Sequence, residues 1–474
     1  MLAKNQQLLP AFKITNYLLW ILFLANFFAL IIYFPSIPEW RYGNLLKVNC
    51  FTLLIWTLVT FFSAIVNSYG KKYLSGFRYH TKFVMLCLGF TGSIMIFVMA
   101  NHLVLILGMW LAMGIFMSQL IGVDKDWPEA KAAAAFALKY FLAGSVFLST
   151  GVILLAYQTD DFTLTGLCAK VKDVPHYLTV VVALCIITAA IIQSAIYPFH
   201  RWLLSAMTAP TPASALMHAG FVNGSGLLLT LFSTVLFTAN TLIILLIIGG
   251  VTAIFAQFAK LLQVNVKQKL ACSTIAQMGF MIMQCGLGFF NAAVVHLILH
   301  GFYKAYLFLS AGEEIELSQP SKPKNSSIKP VQAVAVLFFG ILGALLFAYL
   351  TGKGLALNSG LFLVLIVAIT VGQVAYNIVK EDNLTVVQKI VSPSLLFFVG
   401  IVIYAFFYNA ITVIMSDLPM IDLPIALSTI EVIFGIVFLS GFFIMKLGIY
   451  RNFPWLYVQL LNSSQPNKKT VFNK

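Results

Sequence analysis

The chain has 474 residues, of which 61% are hydrophobic and 9% are charged. Soluble domains carry charge on about a quarter of their residues, so the composition excludes an ordinary soluble enzyme. The formal net charge of +14 does not indicate a nucleic-acid partner, because the basic residues fall mostly in alternate connections between apolar segments. The positive-inside rule explains that distribution for a protein whose surroundings are a lipid bilayer.

Apolar segments long enough to cross roughly 30 Å of hydrocarbon recur along the whole chain. They predict an all-α polytopic membrane protein, and the charge asymmetry predicts about fourteen transmembrane helices with both termini in the cytoplasm. The connections are short, so we expect any chemistry to occur within the membrane or on a partner protein. The predicted spans cover residues 14–35, 48–68, 81–100, 102–122, 132–157, 177–199, 213–237, 242–263, 270–288, 292–312, 331–350, 356–379, 391–414 and 425–447.

Three prolines interrupt the apolar pattern between residues 193 and 216. A helix interior does not tolerate them, so this stretch predicts a broken helix. Irregular backbone at membrane depth is accepted where protein or a water-filled cavity surrounds it, and broken helices recur at ion sites in transporters. A new helix beginning after the break carries His218 into the membrane; an ordinary tight turn is the alternative interpretation. The prolines are Pro198, Pro210 and Pro212.

The strongest functional signal is a row of ionisable residues inside a later apolar segment. His296, His300 and Lys304 are spaced four apart, so in an α-helix they share one face along about 12 Å. Ionisable groups at membrane depth are costly and usually line an ion pathway or a hydrated cavity. We therefore predict that these three residues handle protons.

A zinc site is the rival interpretation of His296 and His300, since histidines four apart can bind zinc. It needs a third ligand, and the same helix face offers no carboxylate or cysteine, so we predict no metal and no cofactor on this chain. Among the carboxylates, Glu431, with Glu313 or Glu314 as further candidates, can lie near membrane depth. This scarcity of hard oxygens favours H⁺ over Na⁺ as the ion.

Two further lysines are candidates for the pathway. The stretch Phe136–Gly144 echoes Phe302–Gly312, each with a lysine followed by an aromatic and then small residues. If the echo marks duplicated halves, Lys139 and Lys304 are equivalent groups in two half-pathways; a structural lysine is the alternative for each. Both are expected to be buried, because they are the two lysines least able to extend to a membrane interface. Lys353 lies between two glycines, in a short loop or a helix interruption, with the loop favoured.

Three blocks of this sequence resemble the proton-translocating antiporter-like subunits of respiratory complex I and of multisubunit Na⁺/H⁺ antiporters. The similarity extends over residues 80–380. It implies an antiporter-like fold with inverted repeats, in which His218 follows the broken helix, the row on the later helix is the central relay and Lys353 is the distal lysine. It also implies N-terminal helices at 1–80, an ion-translocating core at 81–380 and C-terminal helices with a basic tail at 381–474. The blocks are Gln193–Leu228, Asn265–Met281 and His296–Gly312.

Two departures from that pattern indicate one branch of the superfamily. Leu111, after Trp110, stands where the family has a glutamate, and Gln193 stands where it has the paired lysine. With the signature Pro210–Gly226, these residues are similar to the DabB family, the membrane subunits of bacterial two-component inorganic-carbon pumps. That resemblance implies a bacterial inner membrane and a DabA-like partner that resembles a zinc β-carbonic anhydrase. The hydration chemistry is then expected on the partner, with no enzymatic activity on this chain.

Three hypotheses follow from these patterns. The first is an ion-conducting subunit, with H⁺ as the ion, of an energy-coupled complex that accumulates CO₂ or bicarbonate. The second is an antiporter-like subunit of a respiratory or Na⁺/H⁺ antiporter assembly, and the third is a non-conducting membrane scaffold. The predicted pathway consists of His218, Lys304, His300 and His296, with Lys139 and Lys353 as outer members.

Overall fold

The computed structural model describes residues 9–35, 38–311, 330–354, 356–379, 386–447 and 452–471. Within these residues nine helices are long and apolar enough to cross a membrane, and three apolar helices of 10–17 residues accompany them. The sheet found in this part of the chain is a hairpin of two antiparallel strands, β1 (Trp40–Tyr42) and β2 (Leu46–Val48). The predicted all-α membrane architecture is confirmed, whereas the number of spans stays a prediction.

The helices fall into three groups along the chain. Before the break lie α1 (Leu9–Tyr33), α2 (Cys50–Tyr73), α3 (His80–Met99), α4 (Leu103–Ile121), α5 (Pro128–Thr159), α6 (Leu164–Lys170) and α7 (His176–Gln193). The broken region contains α8 (Arg201–Ser205), α9 (Thr211–Leu216), a π-helical segment (Met217–Phe221), α10 (Gly224–Leu231) and α11 (Ser233–Thr238). The last group is α12 (Leu242–Leu261), α13 (Val266–Gly286), α14 (Phe290–Ala311), α15 (Pro330–Thr351), α16 (Gly360–Val379), α17 (Val386–Ile414), α18 (Thr429–Leu447) and α19 (Pro454–Ser463).

The predicted break is confirmed. α7 ends at Gln193, and α9 begins only at Thr211, with Pro212 in its first turn where a missing N–H is harmless. An apolar core holds the irregular backbone in place: the buried Trp202 ring packs against an aromatic pair from α5 and the π-helical segment, and its indole N–H donates to the Ile192 carbonyl at 2.9 Å. The break is thus enclosed by protein, as irregular backbone at this depth requires.

Small residues set the distance between α12 and α13. A Cβ atom at Gly279 would lie 2.7 Å from the Gly249 carbonyl oxygen, and one at Gly286 would lie 2.3 Å from the Leu246 amide nitrogen. Both contacts are shorter than packed atoms allow, so only glycine permits this approach of the two backbones, a device common between membrane helices. The close packing fixes the position of α13 against α12.

The connections between helices lie on two faces of the bundle. On one face, which we call the inner face, α19 and the residues after it cover the broken region. His200 Nε2 lies 2.8 Å from the Ser463 carbonyl oxygen, and Gln263 donates to Ser464 at 2.7 Å. On the opposite face, which we call the outer face, backbone bridges join neighbouring connections. Those bridges are Leu46–Ala100, His102–Thr163, Phe289–Asp422 and Asn358–Ala426.

Glu431 has a structural role at the outer start of α18. Its carboxylate accepts from the Ser428 amide at 2.7 Å, and the Glu431 amide donates back to the Ser428 hydroxyl at 3.4 Å. This reciprocal pair is a capping box, which satisfies backbone donors at the start of a helix. The candidates Glu313 and Glu314 lie outside the described residues.

Candidate ion pathway

The row of ionisable residues on α14 faces the protein interior. Lys304 is fully buried, His300 is 5% exposed, and His296 is partly buried. The rings of His296 and His300 lie nearly parallel, with their centroids 6.0 Å apart. We call these three residues the α14 column. Its side chains are buried or partly buried within the bundle, and their role in a pathway stays a prediction.

The ammonium of Lys304 forms the inner end of this column. It donates to the Leu270 carbonyl oxygen on α13 at 2.9 Å, and none of the ion pairs among the described residues includes it. A charge buried with one neutral oxygen for a partner costs free energy unless something else compensates it. Lys304 is therefore a group suited to exchange a proton with its neighbours.

His218 reaches the same place from the broken region. It lies in the π-helical segment Met217–Phe221, is fully buried, and stacks on the Phe308 ring with a centroid distance of 4.3 Å. Phe308 is one turn beyond Lys304 on α14, so this contact places His218 beside the inner end of the α14 column. π-helical turns are frequent at functional sites because they re-aim side chains. The fold thus brings His218 and the α14 column together.

The imidazoles of this cluster have unused hydrogen-bonding capacity. Within the described residues, both ring nitrogens of His218 and of His300, and Nε2 of His296, have no protein partner. Buried polar groups are nearly always paired, so each exception calls for an explanation. Water or a transferred proton fits these nitrogens, because each needs a small polar partner.

A cavity of about 510 Å³ reaches the outer end of the α14 column. Helices α12, α13, α16, α17 and α18 form most of its wall, which is largely apolar, and His296 contributes to it. Glutamine and tyrosine side chains supply further polar groups there: Gln257, Gln277, Gln284 and Tyr404. A buried cavity holds water only where several polar partners converge, and the end lined by His296 meets that requirement best.

Lys353 lies at the outer face rather than beside the column. Its position between α15 and α16 is a loop, as the sequence favoured, and not a helix interruption. The ammonium contacts both carboxylate oxygens of Asp422, at 2.7 and 2.8 Å, and lies 5.3 Å from the centroid of the Phe289 ring. The structure therefore does not bring Lys353 into direct contact with the α14 column.

The expectation that Lys139 is buried is wrong. Its side chain is exposed on α5, whereas Lys304, its counterpart in the sequence echo, is fully buried. α5 is 32 residues long, and small residues, Ala135 and Ala143, stand one turn away from Lys139 on either side. Apolar neighbours on a membrane helix face either lipid or protein, so the local sequence did not distinguish the two environments. The structure does not join Lys139 to the cluster.

The residue that replaces the family lysine keeps a contact at the break. Gln193 Nε2 donates to the Phe221 carbonyl oxygen at 3.5 Å, which links the end of α7 to the π-helical segment through a neutral group. A neutral amide at this position leaves the broken region without the glutamate–lysine pair of the family that the sequence resembles. In the part of the chain that the structure describes, no group of three or more His, Cys, Asp or Glu side chains could hold a metal ion.

Four polar residues between the column and the outer face, Gln284, Tyr404, Tyr408 and Asp422, were not predicted from the sequence. Gln284 on α13 and Tyr404 on α17 line the cavity with His296, while Tyr408 lies one turn beyond Tyr404 and contacts Asp422. The available signal was the spacing of the two tyrosines, four apart in an apolar helix. Such a pair is common in membrane cores, so spacing alone could not assign it to a pathway.

Comparison with known proteins identifies the family. Residues 100–379 match the family model described as NADH:quinone oxidoreductase/Mrp antiporter, transmembrane. The chain belongs to this family. The antiporter-like assignment made from the three sequence blocks is thereby confirmed.

Among curated relatives, this family member is similar to the "Probable inorganic carbon transporter subunit DabB" of Bacillus anthracis. The two are 35% identical over 317 residues, which cover 65% of this chain and 62% of the relative. The DabB subunit of Hydrogenovibrio crunogenus is 30% identical, over 63% of this chain and 58% of the relative. The "NADH-quinone oxidoreductase subunit L" of Rickettsia typhi is also 30% identical, over 61% of this chain and 47% of that subunit. The matched region thus spans about three-fifths of the DabB relatives.

Solved structures share the fold of this antiporter family member. The Mrp complex from Dietzia sp. contains a chain that superposes with a TM-score of 0.56 at 20% identity, over 97% of this chain and 52% of the other. A chain of an archaeal respiratory complex, the membrane-bound sulfane sulfur reductase, gives a TM-score of 0.60 at 19% identity. The match covers 96% of this chain and 91% of the other. At such identities the comparison establishes the architecture alone.

Proposed function

We propose that this protein is the ion-conducting subunit of a membrane complex that accumulates inorganic carbon, and that the ion is H⁺. The proposal rests chiefly on one observation: a column of two imidazoles and an ammonium, with Lys304 and His300 buried and His296 partly buried, lies inside an antiporter-like bundle beside His218 and has unpartnered ring nitrogens. Proton exchange among such groups needs no metal, and few carboxylate oxygens are available for Na⁺.

The similarity to DabB subunits supports the carbon-accumulating role. On this proposal a DabA-like, zinc-binding partner carries out the hydration of CO₂ to bicarbonate, while the present chain supplies the energy of an ion gradient. The bundle lies in a bacterial inner membrane with both termini in the cytoplasm. Protons pass through His218, Lys304, His300 and His296.

A second candidate is an antiporter-like subunit of a respiratory assembly, which the similarity to the Rickettsia typhi subunit supports. The two candidates differ in the partners that they require. Gentle purification of the tagged protein from its native membrane distinguishes them, because the first predicts a large zinc-containing companion and the second predicts other respiratory subunits.

The conducting role is tested by Lys304→Met, a replacement of similar length without the charge. We expect the variant to lose growth at air levels of CO₂ and to keep growth at elevated CO₂, with normal protein level and partner binding. Lys139→Met is the matched control, since it removes the same side chain from an exposed position. Growth in air by Lys304→Met would contradict conduction through the column and favour a membrane scaffold.

A further inference from the structure

At the outer face, three connections are bound together directly above the first turn of α14. The Phe290 amide donates to the Ile421 carbonyl at 2.9 Å, the Leu423 amide donates to the Gly288 carbonyl at 3.1 Å, and the Ser359 amide donates to the Ile425 carbonyl at 2.8 Å. We call these segments, residues 287–291, 358–360 and 421–425, the outer clamp.

Glycine is required in the outer clamp at Gly288. This residue has φ +85°, and a Cβ atom there would lie 2.2 Å from the Leu423 carbonyl oxygen. Only glycine combines that backbone conformation with so close an approach. The segment that contains Asp422 is consequently held at one height above the α14 column.

Asp422 lies between the outer solution and the interior. Its side chain is 21% exposed and that of its partner Lys353 is 16% exposed, so both groups are in reach of water without being free in it. On its inner side the carboxylate accepts a long hydrogen bond from the Tyr408 hydroxyl, at 3.4 Å. Tyr408 is 1% exposed, so this contact begins a route into the protein.

Polar side chains continue inward from Tyr408. The Thr412 hydroxyl donates to the Tyr408 carbonyl at 2.7 Å and accepts from the side-chain amide of Asn291, in the first turn of α14, also at 2.7 Å. One turn deeper on α17, Tyr404 lines the cavity that reaches His296, together with Gln284. Polar side chains thus lie at successive levels between the outer clamp and the outer end of the α14 column.

We infer that Asp422 is the outer proton-accepting terminus of this pathway, connected to the α14 column through Tyr408 and Tyr404. The inference rests on the proposed function and adds to it the residues of the outer half. It also changes the role that the family resemblance implied for Lys353. That lysine positions the Asp422 carboxylate and balances its charge, and it does not itself relay the proton.

In an inward step, a proton from the outer solution binds the Asp422 carboxylate, which gives a neutral acid. The acid O–H passes its proton to the Tyr408 oxygen while the phenolic proton moves on towards Tyr404 and water in the cavity, so each phenol ends neutral. The proton arrives at Nε2 of His296, which becomes an imidazolium, and Asp422 is again a carboxylate paired with Lys353.

A second ion pair on the outer face offers a matched control. Lys170 and Asp161 lie 3.2 Å apart, but Asp161 holds the residue that caps α6, because it accepts from the amide and hydroxyl of Thr163 at 2.9 and 2.7 Å. Lys170 donates to the Thr159 carbonyl at 3.2 Å. The bonds of this pair are therefore local to the α5–α6 connection, and it serves the fold there.

The test measures proton uptake by the complex in liposomes, with a pH-sensitive dye inside. We expect Asp422→Asn and Tyr408→Phe each to lower the initial rate by roughly two orders of magnitude, the lower range for a positioned proton-transfer group. Asp422→Glu restores most of the rate, because it returns a carboxylate. Asp161→Asn leaves the rate unchanged, and melting temperatures show which variants remain folded.

Lys353 is tested separately as a positioning residue. Lys353→Arg keeps the flux and Lys353→Met lowers it, and in an Asp422→Asn background Lys353→Met has no further effect, because the two residues act as one unit. Full flux in folded Asp422→Asn and Tyr408→Phe, with flux abolished in Lys304→Met, overturns the inference and leaves the proposed function standing. Absence of proton flux in the wild-type complex contradicts the proposed function itself.

Discussion

The two halves of the bundle, the helices up to α11 and those from α12 onward, supply residues to the central cluster in different ways. In the first half the helix is broken, and the residues at the break are the neutral Gln193 and the histidine His218. In the second half α14 is continuous, and it carries the two histidines and the lysine of the column. A broken helix thus supplies a re-aimed side chain, while a regular helix supplies a row of exchangeable groups. On the proposed function, proton handling is therefore concentrated in the second half.

The largest expected effect is that of His300→Leu. This residue lies between His296 and Lys304 with both ring nitrogens lacking a protein partner, so its loss interrupts the column. We expect proton flux in liposomes to fall about a hundredfold. We also expect the melting temperature to be unchanged or higher, because two unpaired buried polar atoms are removed.

A loss of proton flux without a loss of melting temperature distinguishes a pathway residue from a structural one. His176→Leu is the control, since His176 is exposed at the start of α7, and it should alter neither property. A His300→Leu protein that melts early, with flux reduced only in proportion to the folded fraction, contradicts the role assigned to the column.

A smaller effect is expected from Gly400→Leu on α17. Gly400 lines the cavity, and a Cβ atom there meets nothing within 4 Å. The new side chain should enter the cavity and lower proton flux several-fold, while helix propensity raises the free energy of unfolding by up to about 1 kcal/mol. Gly108→Leu is the matched control, because its Cβ also meets nothing within 4 Å but Gly108 lies on α4, away from the cavity. Equal flux in both variants would show that the cavity is not part of the route.

Composition and local sequence pattern predicted the central residues of the second half, but not the residues at its outer end. Hydropathy predicted the membrane fold, three prolines predicted the break, and spacing placed His296, His300 and Lys304 on one face. Spacing could not find Asp422, because its partner Lys353 is 69 residues away in the chain and the two meet only through tertiary packing. The pathway role of all these residues stays a prediction.

The first half produced the clearest error. Lys139 is exposed although its sequence surroundings resemble those of Lys304. In water an apolar face is normally buried, but in a membrane both lipid and protein accept one, so the pattern that identifies a span does not identify its inner side. Only the packing of α5 against its neighbours determines which way the lysine points.

The inner end of the first half should respond to pH. Burial lowers the pKa of His200, the Ser463 carbonyl opposes this shift, and the charge of Arg201 adds to it. The unfolded chain therefore binds the proton at a higher pH than the folded protein. Stability from this site is complete above about pH 6.5 and is lost as the pH falls through the folded-state pKa. Melting temperatures measured from pH 8 to pH 5 should fall less steeply for His200→Gln than for the wild type.

The smallest effect is expected at the residue that distinguishes the halves most directly. Gln193→Leu removes a 3.5 Å hydrogen bond to the Phe221 carbonyl, which should lower the free energy of unfolding by about 1 kcal/mol. Proton flux per folded complex should stay at the wild-type rate, because a neutral amide has no proton to exchange at this position. If flux instead falls as far as it does in His300→Leu, the break carries protons through Gln193 and its backbone contact. The charge pair that this half lacks would then be dispensable for conduction, and the two halves would work in series rather than as a support and a pathway.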